Sequence, residues 1–424
     1  MPDDPQVHAH RGWLFTASCI SLLTTSMVFA IRGDISGALS ADFHLSAEQM
    51  GLIWGPAFWG FTLAIFACGV LVDWLGMKLM HAVSALGYLA GIGLILAAPK
   101  PELADGELVS GIFATTGTTM LYIGFLVMGL AQGIVEGVIN PLAATVYPDK
   151  KGQMLNILHA WWPGGMIIGG LTAFAMSKAN VGWPIKISTI CIPAVIYLAM
   201  CLMRKYPQTE RVAAEVSFGD MVKGTLTKPL FFVIFALMWL TAAVELGPDQ
   251  WFPALMGKLT GMNEGGILFL CYTAGLMFVL RFFFGGVVHK FSPILVLIVC
   301  SVLTFIGLFW LGSLAEGSTA AIAFAAATVF GIGKTYFWPT MLGIVAERFP
   351  KGGALAMNLV GGAGMLSIAV VLPLMGGALD ELGPGAALMR VAYLTLILIA
   401  AFTVIHFGFK AKGGYKAVGV SDEE

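Results

Sequence analysis

Charged residues are scarce in this 424-residue chain. Only 11% of its residues are charged and 58% are hydrophobic, with a mean hydropathy of +0.87. Soluble domains carry roughly 25% charged residues, so this composition excludes an ordinary soluble globular protein. The formal net charge is only −1, and charge therefore gives no reason to expect a nucleic-acid partner.

The sequence also lacks the parts that enzymes and pumps need. There is no complete G-x-x-x-x-G-K-[ST] phosphate loop, which argues against ATP-driven transport, and no nucleophile–base pair stands out. We therefore expect no enzyme, no cofactor and no metal site. Six cysteines without metal-ligand spacing fall inside apolar runs, and we expect them to be free thiols: Cys19, Cys68, Cys191, Cys201, Cys271 and Cys300.

Long apolar runs dominate the rest. Two sets of six are each long enough to cross a bilayer, and one long polar connection separates the sets. We predict an all-α membrane protein with twelve transmembrane helices in two six-helix bundles related by a pseudo-two-fold repeat. The predicted domains are 1–204 and 229–424, joined by a cytoplasmic linker, 205–228. The runs are 13–40, 47–72, 78–98, 117–146, 153–177 and 183–203, then 229–256, 263–288, 292–315, 319–346, 353–379 and 386–409.

Basic residues predict the orientation. Most lysines and arginines fall in the loops on one side, whereas the opposite loops keep little more than Lys100, Lys178 and Lys258. Since basic loops stay in the cytoplasm, we expect a multi-pass protein of the plasma membrane, of the bacterial inner-membrane kind, with both termini cytoplasmic. The first run is too long for a cleaved signal peptide, so we interpret it as a retained span.

Two related stretches, 129–171 and 331–365, carry opposite charges at matching positions. Aligning the two halves places Glu136 on Lys334, each within an apolar run. A charged side chain inside a membrane helix is costly and is a functional-site hypothesis by default. Opposite charges at repeat-related positions favour alternating access over a channel, which would favour rings of like charge.

The loop after the second run reads Gly69-Val-Leu-Val-Asp73-Trp-Leu-Gly76-Met-Lys78, and 285–292 is similar to a degraded copy of it. This loop resembles the G-x-L-x-D-x-x-G-x-K signature of the major facilitator superfamily. The resemblance implies that Asp73, with its neighbours in the signature, acts in gating rather than in binding solute. The alternative interpretation of Asp73 is a solvated loop charge.

Three further pieces resemble the fucose permease group of proton–sugar symporters: Asp34 at the outer part of the first helix, Glu136-x-x-x-Asn140-Pro141, and Leu155-Asn156-x-x-His159. The resemblance implies a proton-coupled symporter that uses Asp34 and Glu136 and carries a small polar solute, a sugar first. Partners are then the solute, protons and the bilayer, and we expect a monomer. Solute-binding candidates are Asn140, Asn156, His159, Trp162, Trp338 and Asn358.

Three cations depart from that pattern and keep alternatives open. Arg32, Arg281 and Lys334 suit a transporter of organic anions, such as sugar acids or other carboxylates. Lys334 or Arg281 could instead be ion-paired with Glu136, either as a structural lock or as a proton switch. Glu245 and Asp249 flank a Gly-Pro pair that fits either a broken helix along a cavity or a polar turn near the outer surface. A third possibility is a membrane sensor that keeps the fold without transport.

Overall fold

The structure is a computed structural model. It describes residues 5–104, 106–147, 151–208, 225–262, 265–349 and 353–416, together with Gly219 and Val222. Its regular secondary structure over these residues is α-helical, and the first half contains α1 (Pro5–Asp34), α2 (Ser36–Phe43), α3 (Ala47–Leu75), α4 (Met77–Leu96), α5 (Thr116–Val146), α6 (Lys151–Lys178), α7 (Trp183–Ser188) and α8 (Cys191–Met203). The second half contains α9 (Pro229–Thr260), α10 (Ile267–Lys290), α11 (Pro293–Gly312), α12 (Ala320–Lys334), α13 (Phe337–Arg348), α14 (Gly353–Leu382) and α15 (Pro384–Ala411).

The chain folds as two compact units, Met1–Val216 and Ser217–Glu424. Ten helical stretches among the described residues are long and apolar enough to span a membrane. The two other predicted spans fall on α6 and on α10, where the apolar stretch is the shorter Ile267–Arg281. Most of the predicted linker lies outside the described residues, so its bounds and those of the domains stay predictions.

Three of the predicted runs are broken rather than continuous. The first run, predicted to reach residue 40, ends at Asp34 and is followed by the short α2; the sixth is divided into α7 and α8. The tenth is divided into α12 and α13 directly after Lys334. Pro339 explains this last break, because proline has no N–H to bond the carbonyl four residues earlier and is tolerated in the first turn of a helix.

Close helix contacts in the first unit depend on glycines in α5. A Cβ added to Gly129 would lie 2.6 Å from the carbonyl oxygen of Ala57, and one added to Gly133 would lie 2.3 Å from that of Phe61. Such small residues let two backbones approach closely. They fix α5 against α3, and with it the direction in which the polar side chains of α5 point.

Candidate functional site

The second unit holds four charged side chains as two ion pairs, in which three side chains are buried and that of Arg281 is 16% exposed. Lys334, at the end of α12, pairs with Asp249 of α9, and neither side chain has any exposed surface. The ammonium also donates to Oγ1 of Thr273 at 3.3 Å and lies 5.1 Å from the centre of the Phe330 ring. A buried charge is stable only when it is paired and hydrogen-bonded, and Lys334 meets both conditions.

The second pair joins Arg281 of α10 to Glu245 of α9. Nη2 of Arg281 lies 3.3 Å from Oε1 of Glu245, and Nε donates to the carbonyl of Thr335 at 2.8 Å. That carbonyl is the one left without a helical donor by Pro339. Arg281 therefore supplies a hydrogen-bond donor to the free carbonyl at the break between α12 and α13, and it also pairs with a carboxylate.

Helix periodicity explains why both acids meet both cations. Glu245 and Asp249 are four residues apart on α9, which places them on one face one turn apart. Both are buried, at 2% and 0% exposure. The helix α9 is also continuous through Gly247 and Pro248, so a broken helix and a polar turn near the outer surface are both wrong interpretations of this segment. The i, i+4 spacing of two acids in an apolar helix is the signal that could have identified them as site residues.

These two ion pairs correct the prediction of the counter-ion of Lys334. Glu136 was the first candidate for a partner of Lys334 or Arg281, but Lys334 pairs with Asp249 and Arg281 with Glu245. Repeat alignment gave the height of Glu136 and Lys334 in their helices. It carries no information on which neighbouring helix each side chain faces, and that decides the partner.

Glu136 of α5 belongs instead to a hydrogen-bonded chain in the first unit. Nδ2 of Asn140 donates to Oε2 of Glu136 at 3.2 Å, and Oδ1 of Asn140 lies 2.9 Å from Nε2 of His159 on α6. Since Asn140 donates with its nitrogen, its oxygen is the acceptor for the imidazole N–H. Three residues predicted from two separate motifs are therefore brought together.

A tyrosine that the sequence did not single out lies beside this chain. The hydroxyl of Tyr88 on α4 is 2.7 Å from Oγ1 of Thr25 on α1, and it interacts electrostatically with both Glu136 and Arg32. Tyr88 is fully buried. An isolated tyrosine in an apolar helix gives no sequence signal of such a role.

Arg32, also on α1, is buried among aromatic rings. Its guanidinium carbon lies 4.6 Å from the ring centre of Phe58 and 5.6 Å from that of Phe29. Trp162, a predicted solute contact, packs against Phe29 at 6.1 Å between ring centres. Aromatic faces stabilise a desolvated cation, so this cluster holds a positive charge in an apolar setting.

Asp34 forms a third buried pair, close to the end of α1. Nζ of Lys186 on α7 lies 2.8 Å from Oδ2 of Asp34, and the two side chains are 11% and 7% exposed. Asp34 is therefore not a solvated surface carboxylate. No sequence pattern connects Lys186 with Asp34, because the two residues lie 152 positions apart.

Besides the glycines and the lysine of the signature loop, four predicted residues remain. The structure describes the side chains of two of them and not those of the other two. Trp338 lies over α14, where a Cβ added to Gly364 would meet its ring at 2.9 Å, and Asn358 is half-buried on the same helix. The side chains of Asn156 and Asp73 lie outside the described residues, so both stay predictions.

The rest of the signature loop has a local structural role. Gly76 adopts φ +80° between α3 and α4, a conformation that favours glycine. Lys78 donates to the carbonyl of Leu202 at 3.1 Å, at the end of α8. No neighbour lies within 4 Å of a Cβ added to Gly69.

Possible metal ligands and cysteine thiols were compared with the part of the chain that the structure describes. No group of three or more His, Cys, Asp or Glu side chains there could hold a metal ion. All six cysteines are free, and five of them are buried.

Comparison with known proteins gives consistent matches over most of the chain. The family profile described as Major Facilitator Superfamily matches residues 14–333. The hexuronate transporter of Bacillus subtilis is 23% identical over 428 residues, covering 93% of each chain. A second Bacillus subtilis protein, named as a niacin/nicotinamide transporter, is 24% identical over 255 residues. That alignment covers 58% of this chain and 57% of the relative, so the chain spans little more than half of its length.

Among solved structures, the xylose transporter XylE from E. coli, in a partially occluded inward-open conformation, superposes with a TM-score of 0.75. The match covers 92% of this chain and 97% of that chain at 13% identity. A likeness at this identity shows the fold alone. The fold is the twelve-helix, two-domain architecture predicted from the apolar runs.

Proposed function

Because the chain belongs to the major facilitator superfamily of membrane transporters, we propose that it is a proton-coupled symporter that carries a hydroxylated organic anion, such as a sugar acid, by alternating access. The observation that carries this proposal is the ion pair of Asp249 and Lys334, from which solvent is fully excluded. We place the protein in the plasma membrane, as a monomer with both termini in the cytoplasm.

A buried ion pair of this kind couples a proton to an anion. When Asp249 takes up a proton, Lys334 loses its counter-charge, and an uncompensated buried charge is strongly unfavourable. A solute carboxylate supplies the missing negative charge. Each ligand then favours the binding of the other, which is the thermodynamic requirement for symport.

Glu136 is the second proton site in this proposal. Its carboxylate is hydrogen-bonded to the neutral amide of Asn140, so it can lose its charge without leaving that partner as an unpaired buried cation. His159 orients Asn140 from the other side. Asp34, paired with Lys186, is the third candidate, and Arg32 is a further cation that could attract the solute.

The relative that aligns over nearly the whole chain supports an anionic solute. It is named as a hexuronate transporter, and a hexuronate combines a carboxylate with several hydroxyl groups. The carboxylate suits the ammonium of Lys334, since a charge-assisted hydrogen bond is the strong kind.

A neutral sugar is the second candidate. Both Lys334 and Arg281 are already paired with carboxylates, which favours a role as counter-ions rather than as solute ligands. The resemblance of Glu136-Asn140-Pro141 and Leu155-Asn156 to the fucose permease group points the same way. In this case proton uptake at Glu136 alone accompanies the solute.

Binding affinity measured against pH separates the two candidates. D-glucuronate and D-xylose are tested as probes on wild type, Lys334→Gln and Lys334→Arg. A charge-assisted hydrogen bond contributes about 1.5–3 kcal/mol, so for an anion Lys334→Gln lowers affinity about ten- to a hundredfold at every pH, with partial rescue by arginine. For a neutral sugar, affinity is retained at low pH and only its pH dependence changes.

Lys100→Gln is the matched control, because Lys100 pairs with Asp42 at the surface and its side chain is 60% exposed. We expect it to leave binding of both probes unchanged. Counterflow of labelled solute in proteoliposomes separates a transporter from a sensor of the same fold, which would bind the solute without exchanging it.

A further inference from the structure

Gln132 of α5 carries a buried polar group without a hydrogen-bond partner in the part of the chain that the structure describes. The residue is 6% exposed, and its amide nitrogen Nε2 is buried without a hydrogen-bond acceptor among the described residues. Buried amide groups are nearly always hydrogen-bonded. A donor left open in this way indicates that something outside the chain supplies the acceptor.

The position of Gln132 on α5 indicates what that partner is. Gln132, Glu136 and Asn140 are spaced four residues apart and therefore form a stripe along one face of the helix. Asn140 engages one of the two carboxylate oxygens of Glu136, Oε2. An open amide donor thus lies one turn from a carboxylate acceptor, and side chains at this spacing are neighbours.

A hydroxyl group matches this pair, because it accepts from an amide N–H and donates to a carboxylate at the same time. We propose that Gln132 is a specificity-determining residue that donates a hydrogen bond to a hydroxyl oxygen of the transported solute, beside Glu136. The inference rests on the proposed transport function, but it applies equally to a sugar acid and to a neutral sugar, since both carry hydroxyls.

A site built in this way discriminates against solutes that lack the hydroxyl. A buried donor that must stay unpaired rejects such an analogue far more strongly than an apolar pocket rejects a missing methylene group. Removing the donor should therefore lower the affinity for the parent solute and leave the affinity for the deoxy analogue unchanged. A purely structural glutamine would change both by the same factor.

The test is competition by the monodeoxy analogues of D-glucuronate against uptake of labelled D-glucuronate, in proteoliposomes with an imposed pH gradient. Wild type is compared with Gln132→Met, which keeps the length of the side chain but has no donor. We expect the apparent affinity of Gln132→Met for D-glucuronate to fall about ten- to a hundredfold. One analogue should bind wild type and variant equally.

Gln49→Leu is the matched control, because the amide of Gln49 already donates to the carbonyl of Val109 at 2.8 Å. It should lower affinity for no probe. Gln132→Asn keeps an amide on a shorter side chain, and partial recovery of the discrimination would support the hydrogen bond. Loss of affinity by one common factor for D-glucuronate and all analogues, or no change in Gln132→Met, overturns the inference.

Failure of the proposed solute class gives a different result. If wild type takes up D-xylose and not D-glucuronate, the anion proposal fails, and the same comparison with the monodeoxy xyloses decides the role of Gln132. If wild type takes up neither, the hydroxylated solute and the inference on Gln132 are both overturned.

Discussion

Asp249 and Lys334 are stable in the interior only as a pair. Removing one partner of a buried ion pair typically costs about 3–5 kcal/mol, whereas removing both is often nearly neutral. We therefore expect Asp249→Asn and Lys334→Gln each to lower the melting temperature of the purified protein in detergent. The double variant Asp249→Asn/Lys334→Gln should recover most of the loss. A double variant that loses the sum of the two single losses would mean that the two side chains are held independently.

Glu136 is expected to act on energy coupling rather than on solute passage. Glu136→Gln keeps the shape of the side chain and the hydrogen bond from Asn140 but cannot exchange a proton. We predict that it loses accumulation of solute driven by a pH gradient and keeps exchange of solute at equal pH, measured in the same proteoliposomes. A variant that still concentrates solute would move the proton site to Asp249 or Asp34.

How much of the site the sequence predicts depends on the kind of contact. Glu136, Asn140 and His159 were predicted from short motifs and do lie together, since two of them share one helix and the third lies on the next helix. The partner of Lys334 was predicted wrongly, because Asp249 lies 85 residues away. Pairing over such a distance depends on how each helix is rotated in the bundle. A sequence fixes the face of a helix but not the neighbour that it meets.

Among the elements, α3 and α5 are in such close contact at Gly133 that no side chain fits between them. A Cβ on Gly133 would meet the carbonyl oxygen of Phe61 at 2.3 Å, so Gly133→Ala forces the two helices apart. Overpacking of this kind costs about 1–3 kcal/mol or more. We expect a lower yield of folded protein and a lower melting temperature in fluorescence-detected size-exclusion chromatography.

Gly93→Ala on α4 is the control for that substitution. No atom lies within 4 Å of a Cβ added there, and alanine is the better helix former by about 1 kcal/mol. A neutral or raised melting temperature is expected. If both variants were destabilised alike, the α3–α5 contact would not be the specific cause.

The length of the elements was predictable because it is a local property, whereas their breaks were not. An apolar run of sufficient length predicts a transmembrane span independently of the residues that surround it. The break after Lys334 requires Pro339 together with a donor for the carbonyl of Thr335, which Arg281 supplies at 2.8 Å. Pro141 and Pro163 lie inside continuous helices, so proline alone does not predict where a helix ends.

For the whole molecule, the distribution of basic residues predicts which side of the membrane each end faces. A green fluorescent protein fused to the C-terminus should fluoresce, because it matures in the cytoplasm. Alkaline phosphatase inserted after Ala104, in the connection between α4 and α5, should be active, because that connection is predicted on the opposite side. The reverse pattern would invert the whole topology and, with it, the direction of proton-driven transport.

The burial of the native thiols makes the molecule suitable for spectroscopy. Five of the six cysteines are buried, and Cys191 is half-buried, so maleimide probes should react slowly with the unmodified chain. A pair of cysteines introduced at exposed helix ends, one in each unit, can then be labelled with fluorophores or spin labels against a low background. Distances measured between such labels, with and without solute and at several pH values, would report the transport cycle directly, without the need to delete any native residue.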